Sequence, residues 1–465
     1  MSEGFLPRSL LASAVSRPAW RPRLLGALPD FVTGGRSWRD RLDLDLPVRR
    51  SSETGRVPWA TPEAVTHEAL PGGLDAVPVL NSNHPEIVLG TGIAISTAPG
   101  PADRHLDFDF KGPFGFFSAH QNGSSRRLVQ GLVLSNPGPE PVTVKVERSA
   151  ATSNREAPFR DRPGNTVFDP DRQHTSGPGD ATASSILRGI SPVFTAPLRL
   201  EPGEVKVIWQ RPLDPGVASM VQMQFHSDGP VHMAELFGTE TFDSDRATRM
   251  WLDGNRVPAD PRDRPPTPPG AGGVLIYGRV AGIQQGETWR GVLTAPGKPV
   301  LELDDRPEVR AFAIDTVVAK TLGTGQVQSA PLLRRYADSA YASHGNYGVT
   351  YELELPLVHA GEHPLDVALF FDSPGKPGTG PSRVFRGEVE VREGARVQRF
   401  HISQRSGDLG DIPIFEARMR PGDTRQVKVR LVIPADITPA QALRLQTRPT
   451  AQVNRLQMRR LFPDR

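Results

Sequence analysis

Four of the chain's five tyrosines fall between Leu333 and Tyr351, in company with two arginines, a histidine and an asparagine. Tyrosine offers a flat apolar face with a polar tip, and Asn, His and Arg add directional donors and acceptors, a mixture suited to a glycan or peptide surface. Arg334, Arg335, Tyr336, Tyr341, His344, Asn346 and Tyr347 are therefore the candidate ligand-binding residues. Part of this segment has an echo upstream. Ala119-His120-Gln121-Asn122-Gly123 stands before one apolar segment as Ser343-His344-Gly345-Asn346-Tyr347 stands before another. A His and an Asn recurring in this way suggest side chains that pin a turn by hydrogen bonds, so His120 and Asn122 are expected to be structural. An Arg-Gly pair recurs too, as Arg188-Gly189 and Arg386-Gly387, and those arginines are expected to tie a loop to a sheet.

No catalytic residue is expected. The chain has no G-x-S-x-G elbow, no H-E-x-x-H, no Walker loop and no G-x-G-x-x-G after a strand. Metal ligation by His359 and His363 would need a helix to bring i and i+4 together, and both fall in an expected turn. Asp107 with Asp109, Asp169 with Asp171, and Asp243 with Asp245 read as turn punctuation before they read as calcium ligands. Neither a metal nor a cofactor is expected. The competing chemistry is glycoside hydrolysis, with Asp338 as one member of a carboxylate pair.

The elements that must hold these residues are written twice. Residues 132–146 align without a gap on residues 355–369, both of them apolar alternations interrupted by a Gly/Pro turn. Each copy reads as a β-hairpin. Downstream, Leu200-Glu201-Pro202-Gly203-Glu204 is answered by Met419-Arg420-Pro421-Gly422-Asp423; Pro202 follows Asn136 by 66 residues and Pro421 follows His359 by 62. Matched elements at matched separation imply a tandem of related β-domains.

A chain of 465 residues exceeds the roughly 250 to 300 at which single cores stop growing. Proline, at 47 residues, is about twice its average usage of roughly 5%, which favours short strands and many turns over helices. One short helix is expected over Thr438 to Leu445, where a Thr precedes a Pro in the first turn. The net charge of +3 is small beside 55 basic and 52 acidic residues, and the basic excess lies at the two ends, so no nucleic-acid partner is expected. Without cysteine there is no disulfide and no thiolate chemistry. No apolar run reaches the roughly 18 residues of a membrane-spanning helix.

These readings divide the chain into a mostly disordered or loosely docked arm (1–68), a first β-sandwich domain (69–257), a Pro-rich linker (258–273), a second β-sandwich domain (274–447) and a basic tail (448–465). The stretch from Asn154 to Ala183 is expected as a surface loop. The fold class is all-β, two tandem related antiparallel sandwiches.

Leu70-Pro71-Gly72, Val77-Pro78-Val79, Asn81-Ser82-Asn83, the run from Tyr277 to Gly282, Leu322-Gly323-Thr324-Gly325-Gln326 and His344-Gly345-Asn346-Tyr347-Gly348 resemble the cyanobacterial family catalogued as domain of unknown function 3370, over roughly residues 70 to 447. The resemblance implies a cyanobacterial source and, from the secretory signals of many members, a place in the cell envelope or outside the cell. It brings no activity and no site residues. Met1 to Asp30 lacks the continuous apolar core and small-residue cleavage site of such a signal, so a cytoplasmic assembly role stands as the alternative. The expected function is a non-enzymatic scaffold or adhesin-like protein, with a cell-surface polysaccharide or another envelope protein as partner and no expectation about oligomeric state.

Overall fold

The computed structural model describes residues 58–154, 166–174, 177–190, 196–258, 260–375, 384–435 and 437–450. Trp20, Trp38 and the rest of the expected arm through residue 57 lie outside them, as does the basic tail beyond residue 450.

The first half contributes β1 (His67–Glu68), β2 (Gly73–Leu74), β3 (Pro78–Ser82), β4 (Ile87–Val88), β5 (Gly92–Ser96), β6 (Phe110–Asn122), β7 (Leu128–Ser135), β8 (Val142–Asn154), β9 (Thr166–Phe168), helix α1 (Gly177–Arg188), β10 (Leu198–Leu200), β11 (Val205–Leu213), β12 (Ala218–Gly238) and helix α2 (Ser244–Asp253). The second half contributes β13 (Ala281–Gln285), β14 (Thr288–Val292), β15 (Leu301–Leu303), β16 (Val309–Ile314), β17 (Ala330–Arg335), β18 (Ala342–Ser343), β19 (Thr350–His359), β20 (Leu365–Asp372), β21 (Phe385–Glu393), β22 (Arg396–Gln404), β23 (Phe415–Met419), β24 (Thr424–Val432) and β25 (Gln441–Pro449). The all-β class holds, but the sheets are mixed: β3 and β4 run parallel to β6, β14 and β15 run parallel to β19, and β1 runs parallel to β16.

The repeated segments are arches, not hairpins. β7 pairs with β11 and β12 while β8 pairs with β10 and β12, so the chain between Ser135 and Val142 crosses from one layer to another instead of folding the two strands together. β19 and β20 do the same, β19 pairing with β24 and β20 with β23 and β25. Alternation alone does not separate these cases, because a half-buried strand has the same period whichever neighbour it takes. In each half a second arch follows, built on the repeated Pro-Gly turn, and the two arches nest. Asn136 N donates to Glu204 O at 3.1 Å and Gly203 N to Asn136 O at 2.9 Å; His359 N donates to Asp423 O at 3.0 Å and Gly422 N to His359 O at 2.9 Å. Within the turns, Glu201 N meets the Glu204 carboxylate at 2.8 Å and Arg420 N the Asp423 carboxylate at 2.9 Å. Gly203 and Gly422 both sit at positive φ, +71° and +80°, where a side chain is strained.

Two large apolar cores result among the described residues, with smaller clusters beside them. One includes Phe110, Phe114, Phe116, Leu132, Val144, Val221 and Phe225. The other includes Trp289, Tyr351, Leu355, Leu369, Phe371, Phe400 and Leu443, between the sheet of β19, β24 and β21 and the sheet of β16, β25 and β20. The 21-residue β12 serves both layers of the first half: residues 218–227 pair with β6 and β8, and residues 232–238 with β7, the register breaking across Asp228-Gly229-Pro230. Such an insertion bends a strand and lets it change sheets.

The halves are interleaved. β13 pairs with β3 and with β17, so strands from beyond residue 273 extend the large sheet of the first half. In return β1, β2 and β9 join sheets of the second half. Val274 and Leu275, at the expected opening of the second domain, are exposed, and β13 begins only at Ala281. The arm is shorter than expected, since Trp59 donates to Glu416 at 3.1 Å and lies under the Arg448 guanidinium.

Three further expectations are corrected. Thr438 to Leu445 is not a helix, its second half being the start of β25. The region read as a surface loop from Asn154 to Ala183 contains β9 and the beginning of α1. Helix α1 packs Ala183, Ile186 and Leu187 against Ala150 of β8 and Val432 of β24, and so wedges between the halves. Arg188 closes that helix and binds Glu388 of β21 through Nε at 2.9 Å, whereas Arg386 lies in β21, so their shared Arg-Gly motif does not mark equivalent positions.

Candidate functional site

The residues of the tyrosine-rich segment disperse to four places. Tyr336 is buried at 1% exposure; its hydroxyl accepts from Ser96 N at 3.0 Å and donates to Arg104 O at 2.7 Å. Asn346 is fully buried, its Oδ1 accepting from Ala330 N at 2.9 Å and its Nδ2 donating to Gln328 O at 2.8 Å and the Tyr351 hydroxyl at 3.0 Å. These two hold the fold and are removed from the ligand-binding set. Arg335 stacks on Tyr341 at 4.0 Å and donates to the carbonyls of Tyr336, Ala337 and Ser339, forming a closed turn, and Arg334 is exposed on β17. Only His344 and Tyr347 reach a common recess.

That recess is a cleft of about 370 Å³, where the β3 and β18 end of the large sheet meets turns of the second half. Its lining comes from Asn81 of β3 and Asn83 just after it, the run from Tyr277 to Val280, the turn from Val317 to Lys320, the run from Ala342 to Gly345 with Tyr347, and the run from Ile437 to Pro439. Each wall is tied to another. Asn81 Nδ2 donates to Gln284 Oε1 at 2.9 Å, Ala319 N donates to the Tyr277 hydroxyl at 2.8 Å, the Tyr347 hydroxyl donates to Ile437 O at 3.0 Å, and Lys320 Nζ donates to Pro439 O and Ala440 O at 3.1 and 3.2 Å. The Tyr277 and His344 rings lie 4.3 Å apart, tilted by 38°. Gly345 leaves room for the ring of Tyr347, since a Cβ there would sit 2.8 Å from it.

The electrostatics of the cleft follow from burial. Removal from water lowers the His344 imidazole to about 4, so the ring is neutral near pH 7. Burial also brings the Lys320 ammonium down to about 8, with the Asp315 carboxyl opposing the shift. Asn81 Oδ1, Asn83 Oδ1 and His344 Nδ1 have no protein partner, although Asn81 and Asn83 are more than nine-tenths buried. A buried polar atom left in this state costs about 1–3 kcal/mol, and three such atoms around one recess mark a place not optimised as core.

Two constellations have the look of chemistry, and in each the functional groups are engaged in other bonds. Ser82 Oγ, His120 and Glu235 resemble a triad, with 3.0 Å from Ser82 Oγ to His120 Nε2 and 3.0 Å from that same nitrogen to Glu235 Oε2. A triad places its acid on the other ring nitrogen, and here Nδ1 is bound to Pro85 O at 2.7 Å in a cluster with no exposure. Asn122 is likewise structural, its amide capping Arg126 O and Leu213 O at 2.8 Å each. Asp338 lies between His84, at 3.2 Å, and Arg256, at 2.9 Å. Burial works against its charge, but the hydrogen bonds from His84 and Arg256 hold its carboxyl well below the usual carboxylate range, unlike a general acid. His359 Nε2 is engaged by His363 O at 2.6 Å.

Three of the motifs that carry the resemblance, Asn81-Ser82-Asn83, Tyr277 to Gly282 and His344 to Gly348, thus converge on one recess. The family model described as "Protein of unknown function (DUF3370)" matches residues 66–447. The chain belongs to this family. No curated protein matches it. Among solved structures, the chain is similar at 10% identity to the CUB1-EGF-CUB2 domains of rat MASP-1, with 80% of this chain and 99% of that one covered and a TM-score of 0.15. It is similar at 9% identity to the CBM22-1-CBM22-2 tandem domain of Paenibacillus barcinonensis Xyn10C, with coverage of 84% and 92% and a TM-score of 0.14.

Sequence reasoning missed Asn81, Asn83, Tyr277 and Lys320. The signals were present: Tyr277 is the one tyrosine outside the rich segment, and Lys320 is one of only seven lysines.

Proposed function

We propose that this member of the family is a non-enzymatic binding protein of the cell envelope or extracellular space that holds a saccharide unit of a cell-surface polysaccharide in the cleft between its halves. The observation that carries the reading is the convergence of Tyr277, His344 and Tyr347 with unpartnered amide oxygens in a recess of saccharide size. Aromatic faces pack against the apolar side of a sugar ring, while amide groups match its hydroxyls. The competing hydrolase reading loses support because Asp338 is already paired with a histidine and an arginine.

The test is a glycan array probed with the full chain and with Tyr277→Ala. Retention of polysaccharide by the wild type and its loss in a variant of unchanged melting temperature is the expected result; equal binding by both, or none by either, would remove the cleft from consideration. The proposed location is tested separately. Fractionation of the source cell should find the mature chain in envelope or medium, and an intact Met1 form in the cytosol would overturn that part.

A further inference from the structure

The charges around the cleft are one-sided. Among the described residues its lining includes two cations, Lys320 and Arg279, and no aspartate or glutamate. Arg279 is already engaged by Glu86. Lys320 is not: its two bonds go to backbone carbonyls, and among the described residues no carboxylate lies within ion-pair distance of it. A carboxyl does stand behind it. Asp315 is completely buried with both oxygens unpartnered; burial raises its carboxyl well above the ordinary value, the lysine opposes that shift, and the two groups are not within ion-pair distance. The result is an ammonium with one donor to spare, its stem enclosed by protein, beside an aromatic wall. A charge without a direct ion-pair partner in such a place favours a group of opposite sign within hydrogen-bond reach.

Resting on the saccharide-binding reading above, we propose that the ligand is an acidic sugar, a uronate, whose carboxylate is received by Lys320 Nζ while its ring lies against Tyr277 and His344. A single ammonium suits a singly charged carboxylate; a dianionic phosphate calls for more donors, which arginine forks usually supply. His344, neutral from about pH 4 upward, offers its ring to hydroxyls without adding charge. The other groups facing Lys320 are Arg279, already held by Glu86, and Asp315, whose carboxyl burial raises well above its ordinary value.

The experiment is isothermal titration of the full chain with trigalacturonate, with the same trisaccharide methyl-esterified at every carboxyl, with a sulfated neutral trisaccharide, and with the unsubstituted neutral one. Lys320→Met, which keeps the buried stem, is measured in parallel after its melting curve is shown to match wild type. Esterification and Lys320→Met are each expected to weaken trigalacturonate at least tenfold at pH 7. Raising the pH from 7 to 9.5 should weaken it in the wild type and leave Lys320→Met unchanged. Equal affinity for acid and ester, tighter binding of the sulfated sugar, or full affinity in Lys320→Met would overturn the uronate proposal and leave saccharide binding standing. No binding of any of the four sugars would overturn both.

Discussion

Individual side chains divide into those that lock the fold and those that face the cleft, and their ionisation tells them apart. His120 and Glu235 form a fully buried pair, tied to Ser118 and Gln130 as well. Burial opposes both charges, yet each partner's field and hydrogen bonds outweigh it, raising the His120 imidazole and lowering the Glu235 carboxyl. Because the Glu235 value is depressed in the fold, its contribution is present above the ordinary carboxylate range and disappears as pH falls through the folded value. Because the His120 value is raised, its contribution is complete below about 6.5 and disappears as pH rises through the folded value. Removing one partner strands the other, so His120→Ala should cost about 3–5 kcal/mol by urea denaturation at pH 6. A cost near zero would mean that the pair is not buried as described. Glu287 gives the opposite acid limb: burial lifts its carboxyl to about 7, so stability should decline between pH 4.5 and 7, where the group ionises in the unfolded chain while the folded one holds its proton. Glu287→Gln should flatten that decline, and an unchanged slope would contradict it. At this scale the sequence was a partial guide. His344 and Tyr347 were legible because tyrosine clustering is rare, whereas Tyr336 and Asn346 look the same in sequence and differ only in which strand covers them.

Among the elements, the nested arches repeat down to individual hydrogen bonds, and they should repeat in energy. Asn136→Ala removes donors to Glu140 O and Leu200 O, and His359→Ala breaks contacts to Leu303 O and His363 O. Each should cost about 1–3 kcal/mol. The arches share no hydrogen-bond partner, so the double variant should show the sum within about 0.5 kcal/mol, and strong non-additivity would indicate that they do not act independently. The repeat was visible beforehand because the Gly/Pro punctuation and the alternation survive in both copies. What alternation could not show was partner choice, and so hairpins were expected where the chain arches over. Helix α1 escaped notice for a related reason: Gly, Pro, Asp, Thr and Ser dominate its sequence, and burial between two sheets overrides their weak propensity. Helix α2 was not expected either: Asp243, read as turn punctuation, caps it by accepting from Arg246 N at 2.7 Å.

Over the whole molecule, the Pro-rich segment at 258–273 separates the halves in sequence without separating their sheets. A fragment covering residues 274–447 would lack β1, β2 and β9 and would leave β13 without β3. Its circular dichroism should accordingly show no cooperative urea transition, and a sharp transition matching part of the intact chain's would mean that the second half folds alone. The boundary was misjudged because proline density reports local stiffness, while strand exchange depends on pairings more than a hundred residues apart. The same exchange builds the cleft, whose walls come from both halves. Hydrogen exchange on the intact chain, with and without trigalacturonate, tests this most directly: slowed exchange should appear together at residues 81–83, 277–283, 317–320 and 342–347. Protection confined to one half, or at the Arg335 and Tyr341 turn alone, would contradict a ligand held between the halves.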